Sequence, residues 1–189
     1  MPKNKKVFIL GMAKSGYEAA KLLSKDNKVL ITDMKEQNKQ HVEDLISRGV
    51  EYVITDKPEE LLDDSYDMMV KNPGILPTHK CVQKARELNI KIINEVELAY
   101  SYLPHDIKII GITGSNGKTT TTTLVYEFLK AAKKSVCLGG NIGYPLCSLV
   151  DKIKPEDILL LEISDHQLVD MYDFKCDISA LLNLSETHL

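Results

Sequence analysis

The chain has 189 residues, 43% of them hydrophobic and 27% charged, and a formal net charge of −3. That balance belongs to a globular protein of one large or two small domains, and near-neutral charge argues against a general nucleic-acid binder, which needs a basic face. The apolar stretch at 7–10 is too short for a signal peptide and no window reaches the length of a membrane span, so a cytoplasmic protein without nucleic-acid or membrane partners is expected.

Short apolar runs alternate with helical patterns from the amino terminus onward. Residues 7–10 read as a strand ending at Gly11, and a helix follows over about 15–24 with Ala19, Ala20, Leu22 and Leu23 available to pack. Residues 29–32 form the next strand, which ends in Asp33. Val42, Leu45 and Ile46 restore helical spacing before a stop at Gly49. Strands are expected at 52–54 and 68–70, then a short helix with Ala85 and Leu88, then a strand at 90–93. Strand-helix alternation implies a parallel sheet with crossover helices.

A second unit opens near Pro104, with a strand at 107–113, a glycine-rich loop, and a helix marked on one face by Leu124, Phe128 and Ala131. Further strands are expected at 136–138, 158–163 and 178–182. The expected class is α/β, with a Rossmann-like first domain over 1–103 and a partial P-loop ATPase domain over 104–189. The sequence stops just after a strand, so the chain is expected to be a piece of a longer protein. Cys81, Cys137, Cys147 and Cys176 show no Cys-x-x-Cys spacing and read as reduced thiols.

The loop Gly114-Ser115-Asn116-Gly117-Lys118-Thr119 follows a strand and opens a helix, the context a phosphate loop requires. Its glycines let the backbone approach an anion, and successive N–H groups with the helix dipole favour phosphate. Lys118 can reach the terminal phosphates, and the Thr119 hydroxyl can ligate Mg²⁺. The strict pattern would place glycine at position 112, where this chain has Ile112. The first loop, Gly11-Met12-Ala13-Lys14-Ser15-Gly16, has G-x-G-x-x-G spacing with alanine in the middle. Asp33 closes the second strand, close to where an acid meets a ribose hydroxyl. Strand-helix packing explains those glycines equally well. The missing middle glycine argues against a tightly held dinucleotide and leaves room for a uridine diphosphate.

Five stretches together resemble the Mur ligases of peptidoglycan synthesis: the two loops, Val70-Lys71-Asn72-Pro73-Gly74-Ile75, Gly140-Asn141-Ile142-Gly143, and Asn183-Leu184-Ser185-Glu186-Thr187-His188. The resemblance implies an ATP-dependent ligase using Mg²⁺. UDP-N-acetylmuramoyl-L-alanine would be activated as an acyl phosphate and attacked by D-glutamate. It implies that Gly114, Ser115, Asn116, Gly117, Lys118, Thr119 and Thr120 hold ATP, and that Lys118, Glu162 and His188 serve catalysis. Thr119, Glu162 and His188 would bind metal, and Lys14, Ser15, Asp33, Asn72, Gly74 and Asn141 would contact the UDP-linked substrate. It implies a monomer for the full-length protein, and further segments for amide formation, so this chain alone is expected to be inactive. Asp165 and His166 stand where the family has serine and an aromatic residue, which puts titratable groups near the expected metal. The competing readings are a non-catalytic nucleotide-sugar-binding module and another ATP-dependent amino-acid ligase.

Overall fold

The structure is a computed structural model that describes residues 1–185. Its first sheet contains β1 (Lys6–Leu10), β2 (Lys28–Asp33), β3 (Glu51–Ile54), β4 (Met68–Lys71) and β5 (Lys91–Ile93), all parallel in the order β3-β2-β1-β4-β5. The continuous apolar run of β1 is what a central parallel strand requires, because both of its faces are covered. Val7 and Ile9 enter one core and Phe8 and Leu10 the other, following the two-residue alternation of a strand.

Four helices belong to this unit: α1 (Lys14–Leu23), α2 (Lys39–Ser47), α3 (Lys80–Glu87) and α4 (Glu95–Tyr100). The α1 helix buries Ala19, Ala20, Leu22 and Leu23, as its apolar spacing dictates. Asn38 starts α2 by accepting the amides of Gln40 and His41, and Gly49, at φ +79°, follows its end. The α4 helix was not expected from periodicity, because six residues give too short a pattern. Asn94 starts it by accepting the Glu97 amide at 2.9 Å.

The second sheet contains β6 (Lys108–Thr113), β7 (Val136–Gly140), β8 (Ile158–Glu162) and β9 (Ile178–Leu181), parallel in the order β7-β8-β6-β9. Helix α5 (Lys118–Ala131) follows β6, and α6 (Asp165–Leu168) follows β8. The face of α5 marked by Leu124 and Phe128 does not pack as its spacing suggested. These residues are 50% and 70% exposed, and the helix residue that is buried is Thr122.

The two units share a core. One cluster runs from Val7, Ala19 and Val96 to Leu146, Leu159 and Leu161. Polar groups pin the contact as well. The Asn94 side chain donates to the Gln167 carbonyl, and a Glu95 oxygen accepts the Cys147 amide. Glu97 accepts the amides of Asp173 and Phe174 at 2.8 and 3.0 Å. The Lys71 ammonium, 2% exposed, donates to the Ile75 carbonyl at 2.8 Å and lies 3.0 Å from Asp170 Oδ2. That carboxylate oxygen receives no aligned hydrogen bond, so the pair is a charge contact only.

Candidate functional site

Both glycine loops lie at the carboxyl edge of their sheets, where open α/β folds bind ligands. In the first sheet the strand order reverses between β1 and β4, and the loop after β1 meets the turn after β4 at that point. Gly11 has φ +91°, and a Cβ there would lie 3.0 Å from the Asn72 Cβ. Gly16 packs so closely on the strand that a Cβ would lie 2.0 Å from the Gly11 carbonyl oxygen. Packing therefore accounts for Gly16, and the turn accounts for Gly11.

Gly11, Asp33, Asn72 and Gly74 converge on a cavity of about 490 Å³. Asp33 Oδ2 accepts the Met12 amide at 2.8 Å and Oδ1 accepts the Lys35 amide at 3.2 Å, so it ties the first loop to the end of β2. The Asn72 side chain accepts the Gly74 amide at 3.1 Å, which shapes the Asn-Pro-Gly turn. Lys14 and Ser15 open α1 beside the cavity and are not among its lining residues. No acidic residue occupies the first turn of α1 itself, and the nearby carboxylate is that of Asp33, on the Met12 amide.

In the second unit, Gly114 at φ +144° and Gly117 at φ +81° make the turn from β6 into α5. Lys118 folds back over the loop, its ammonium 2.5 Å from the Gly114 carbonyl oxygen and 3.0 Å from that of Ser115. Asn183 fastens the loop from outside: its carbonyl accepts the Ser115 amide and its side chain exchanges two hydrogen bonds with the Asn116 backbone. Two of the amides read from sequence as a phosphate cradle are thus bonded to Asn183. The amides at the start of α5, including Lys118, Thr119 and Thr120, have no partners within the helix. Thr119 and Thr120 are exposed at the mouth of the loop.

Glu162 ends β8 and is 1% exposed. In register it stands between Ile112 at the end of β6 and Gly140 at the end of β7. Its Oε1 accepts the Asn141 side-chain amide at 2.7 Å, while Oε2 is buried without a hydrogen-bond partner. Buried carboxylate oxygens are normally satisfied, so an orphan beside a phosphate loop fits a cation. Gly140, at φ +95°, clears the strand end, since a Cβ there would lie 2.3 Å from the Glu162 carbonyl oxygen. Asn141 spends its amide nitrogen on Glu162, a contact that sequence spacing did not announce. Among the described residues no three His, Cys, Asp or Glu side chains form a metal cluster. Magnesium needs none, because it binds through one or two carboxylates together with phosphates and water. His188 lies outside the described residues. Asp165 and His166 are exposed at the start of α6, where Ser164 and Gln167 form the capping box.

Residues 5–94 match the model of the Mur ligase MurD-like N-terminal domain, and residues 112–189 match that of the Mur ligase middle domain. The chain belongs to the Mur ligase family. It is 44% identical to the UDP-N-acetylmuramoylalanine--D-glutamate ligase of Enterococcus hirae and 46% identical to that of Streptococcus pyogenes serotype M1. These alignments cover 99% and 98% of this chain, which spans 41% of the length of each relative. The fold is similar to that of the UDP-N-acetylmuramate:L-alanyl-gamma-D-glutamyl-meso-diaminopimelate ligase from Neisseria meningitides. That similarity has a TM-score of 0.56 at 17% identity and covers 98% of this chain and 62% of the other.

Proposed function

We propose that this chain is the nucleotide-binding part of an ATP-dependent ligase that joins D-glutamate to UDP-N-acetylmuramoyl-L-alanine in the cytoplasm. Its first domain, 1–103, holds the UDP-linked substrate and its second, 104–189, holds ATP with Mg²⁺. The observation that carries this reading is the orphaned Glu162 oxygen at the end of the strand beside the phosphate loop.

The chemistry demands that a substrate carboxylate approach a polyphosphate, so like charges must be neutralised. Lys118 supplies a positive charge at the loop, and the α5 amides orient the phosphates. Thr119 and Glu162 would hold Mg²⁺, which supplies charge neutralisation when bound. Asn141 fixes one Glu162 oxygen, and the other, without a partner, would be the one to hold a cation. Asp33, Asn72 and Gly74 shape the cavity for the UDP end. Because the chain spans about two-fifths of its relatives' length, amide formation is not assigned to it alone.

Calorimetric titration with UDP-N-acetylmuramoyl-L-alanine, and separately with ATP and Mg²⁺, tests this reading. Both ligands are expected to bind, and ADP release with D-glutamate present is expected to stay at background. Binding of the UDP-linked compound without Mg²⁺-dependent ATP binding would favour the non-catalytic module. Turnover at ordinary enzymatic rates, about 1 s⁻¹ or more, would contradict the division of labour.

A further inference from the structure

The phosphate loop turns through two glycines with positive φ, Gly114 and Gly117, and such a backbone is free to move unless something holds it. Lys118 ties the carbonyls of Gly114 and Ser115, and the chain after β9 ties the amides. Strand β9 runs parallel beside β6, and the pairing continues past both strands. The Leu182 amide donates to the Thr113 carbonyl and the Ser115 amide to the Asn183 carbonyl, each at 3.0 Å. The Asn183 side chain makes the next rung: its Oδ1 accepts the Asn116 amide and its Nδ2 donates to the Asn116 carbonyl, both at 2.9 Å. Ser185 adds a pair with the Ser115 hydroxyl, donating its amide at 2.9 Å and accepting at its carbonyl at 3.2 Å.

A carboxamide carries a donor and an acceptor side by side, as a peptide group does, so it can close both main-chain groups of one residue. Asn116 directly precedes Gly117, the residue from which α5 starts, and the amides of the first turn of α5 follow. An anion is bound more tightly by donors that are already in place, because the loop then loses no freedom on binding. We propose that Asn183 is a positioning residue for polyphosphate, which fixes the Asn116 peptide and thereby holds the first-turn amides of α5 ready before the nucleotide arrives. It acts through the loop and not by contact with the phosphates. The assignment rests on the ATP reading of the second unit.

The test compares wild type, Asn183→Ala and Asn183→Gln by calorimetry with Mg²⁺-ATP and Mg²⁺-tripolyphosphate, and by amide hydrogen exchange in the ligand-free proteins. In the alanine variant both polyphosphates are expected to bind about five- to ten-fold more weakly. Its Asn116 amide is expected to exchange at least about ten-fold faster than in wild type, while the amides of β6 and β8 keep their protection. Asn183→Gln keeps the carboxamide on a longer stem and is expected to fall between the two in both measurements. Wild-type affinity in a variant whose Asn116 amide has lost protection overturns the proposal. So does weaker binding while that amide stays protected. Loss of protection throughout β6 and β8 in both variants marks a structural role and overturns it too; if only the alanine variant is so affected, the glutamine variant decides by the same comparison. If wild type binds neither polyphosphate, the ATP reading falls and this assignment falls with it.

Discussion

Glu162 has one carboxylate oxygen held by Asn141 and the other without a partner, and the two can be tested separately. Glu162→Gln keeps an acceptor for Asn141 but removes the charge. Mg²⁺ is then expected to enhance ATP binding at least about ten-fold less than in wild type, as titrations with and without the metal would show. Asn141→Ala strips the buried carboxylate of its hydrogen bond and is expected to cost about 1.5–3 kcal/mol in urea denaturation. The placement of Lys118 and Thr119 at the start of α5 and of Glu162 at the end of β8 was legible in the sequence, because each stands at a fixed place in a strand-loop-helix unit. The Asn183 contacts with Asn116 join positions 67 apart, and the Asn141 bond to Glu162 joins positions 21 apart. Contacts of that range depend on sheet register, which no local pattern encodes.

Gly140 shows how one element's end serves a neighbour. Alanine there would adopt an unfavourable φ of +95° and collide with the Glu162 carbonyl oxygen. Gly140→Ala is expected to destabilise the protein by roughly 2 kcal/mol or more and to weaken Mg²⁺-dependent ATP binding, read by denaturation and titration. The order of strands and helices was readable because buried parallel strands are continuous apolar runs bounded by turn residues. The packing face of α5 was not. Leu124 and Phe128 recur at helical spacing, yet they stay 50% and 70% exposed. Periodicity says that a helix has an apolar face and does not say what meets it. The short helices α4 and α6 escaped for a different reason, since four to six residues are too few to display a period.

At the scale of the whole molecule, the two units meet through a partly ionisable contact. Burial, with a smaller push from the Glu18 charge, raises Glu95 from its ordinary 4.5 to about 7, against the pull of the Cys147 amide. The folded protein therefore keeps a proton that the unfolded chain releases between those values. Stability is expected to fall as pH rises from about 4.5 to about 7 and to level off above, by roughly 3 kcal/mol at most. Glu95→Gln should flatten that decline and raise the melting temperature at pH 8. The buried Lys71–Asp170 contact links the Asn-Pro-Gly turn to the segment after α6. Lys71→Met leaves a buried charge uncompensated and is expected to cost about 3–5 kcal/mol by denaturation, whereas Lys71→Met with Asp170→Asn should recover much of that loss. These contacts hold the two units together, and the proposed affinity of the second unit's glycine loop for phosphates is the claim on which the assignment rests. Calorimetry of Mg²⁺-ATP binding to wild type and Lys118→Met, with the UDP-linked substrate as a folding control, measures it. At least ten-fold weaker ATP binding by the variant, with substrate binding unchanged, is the expected result; equal ATP affinity in the two proteins would contradict it.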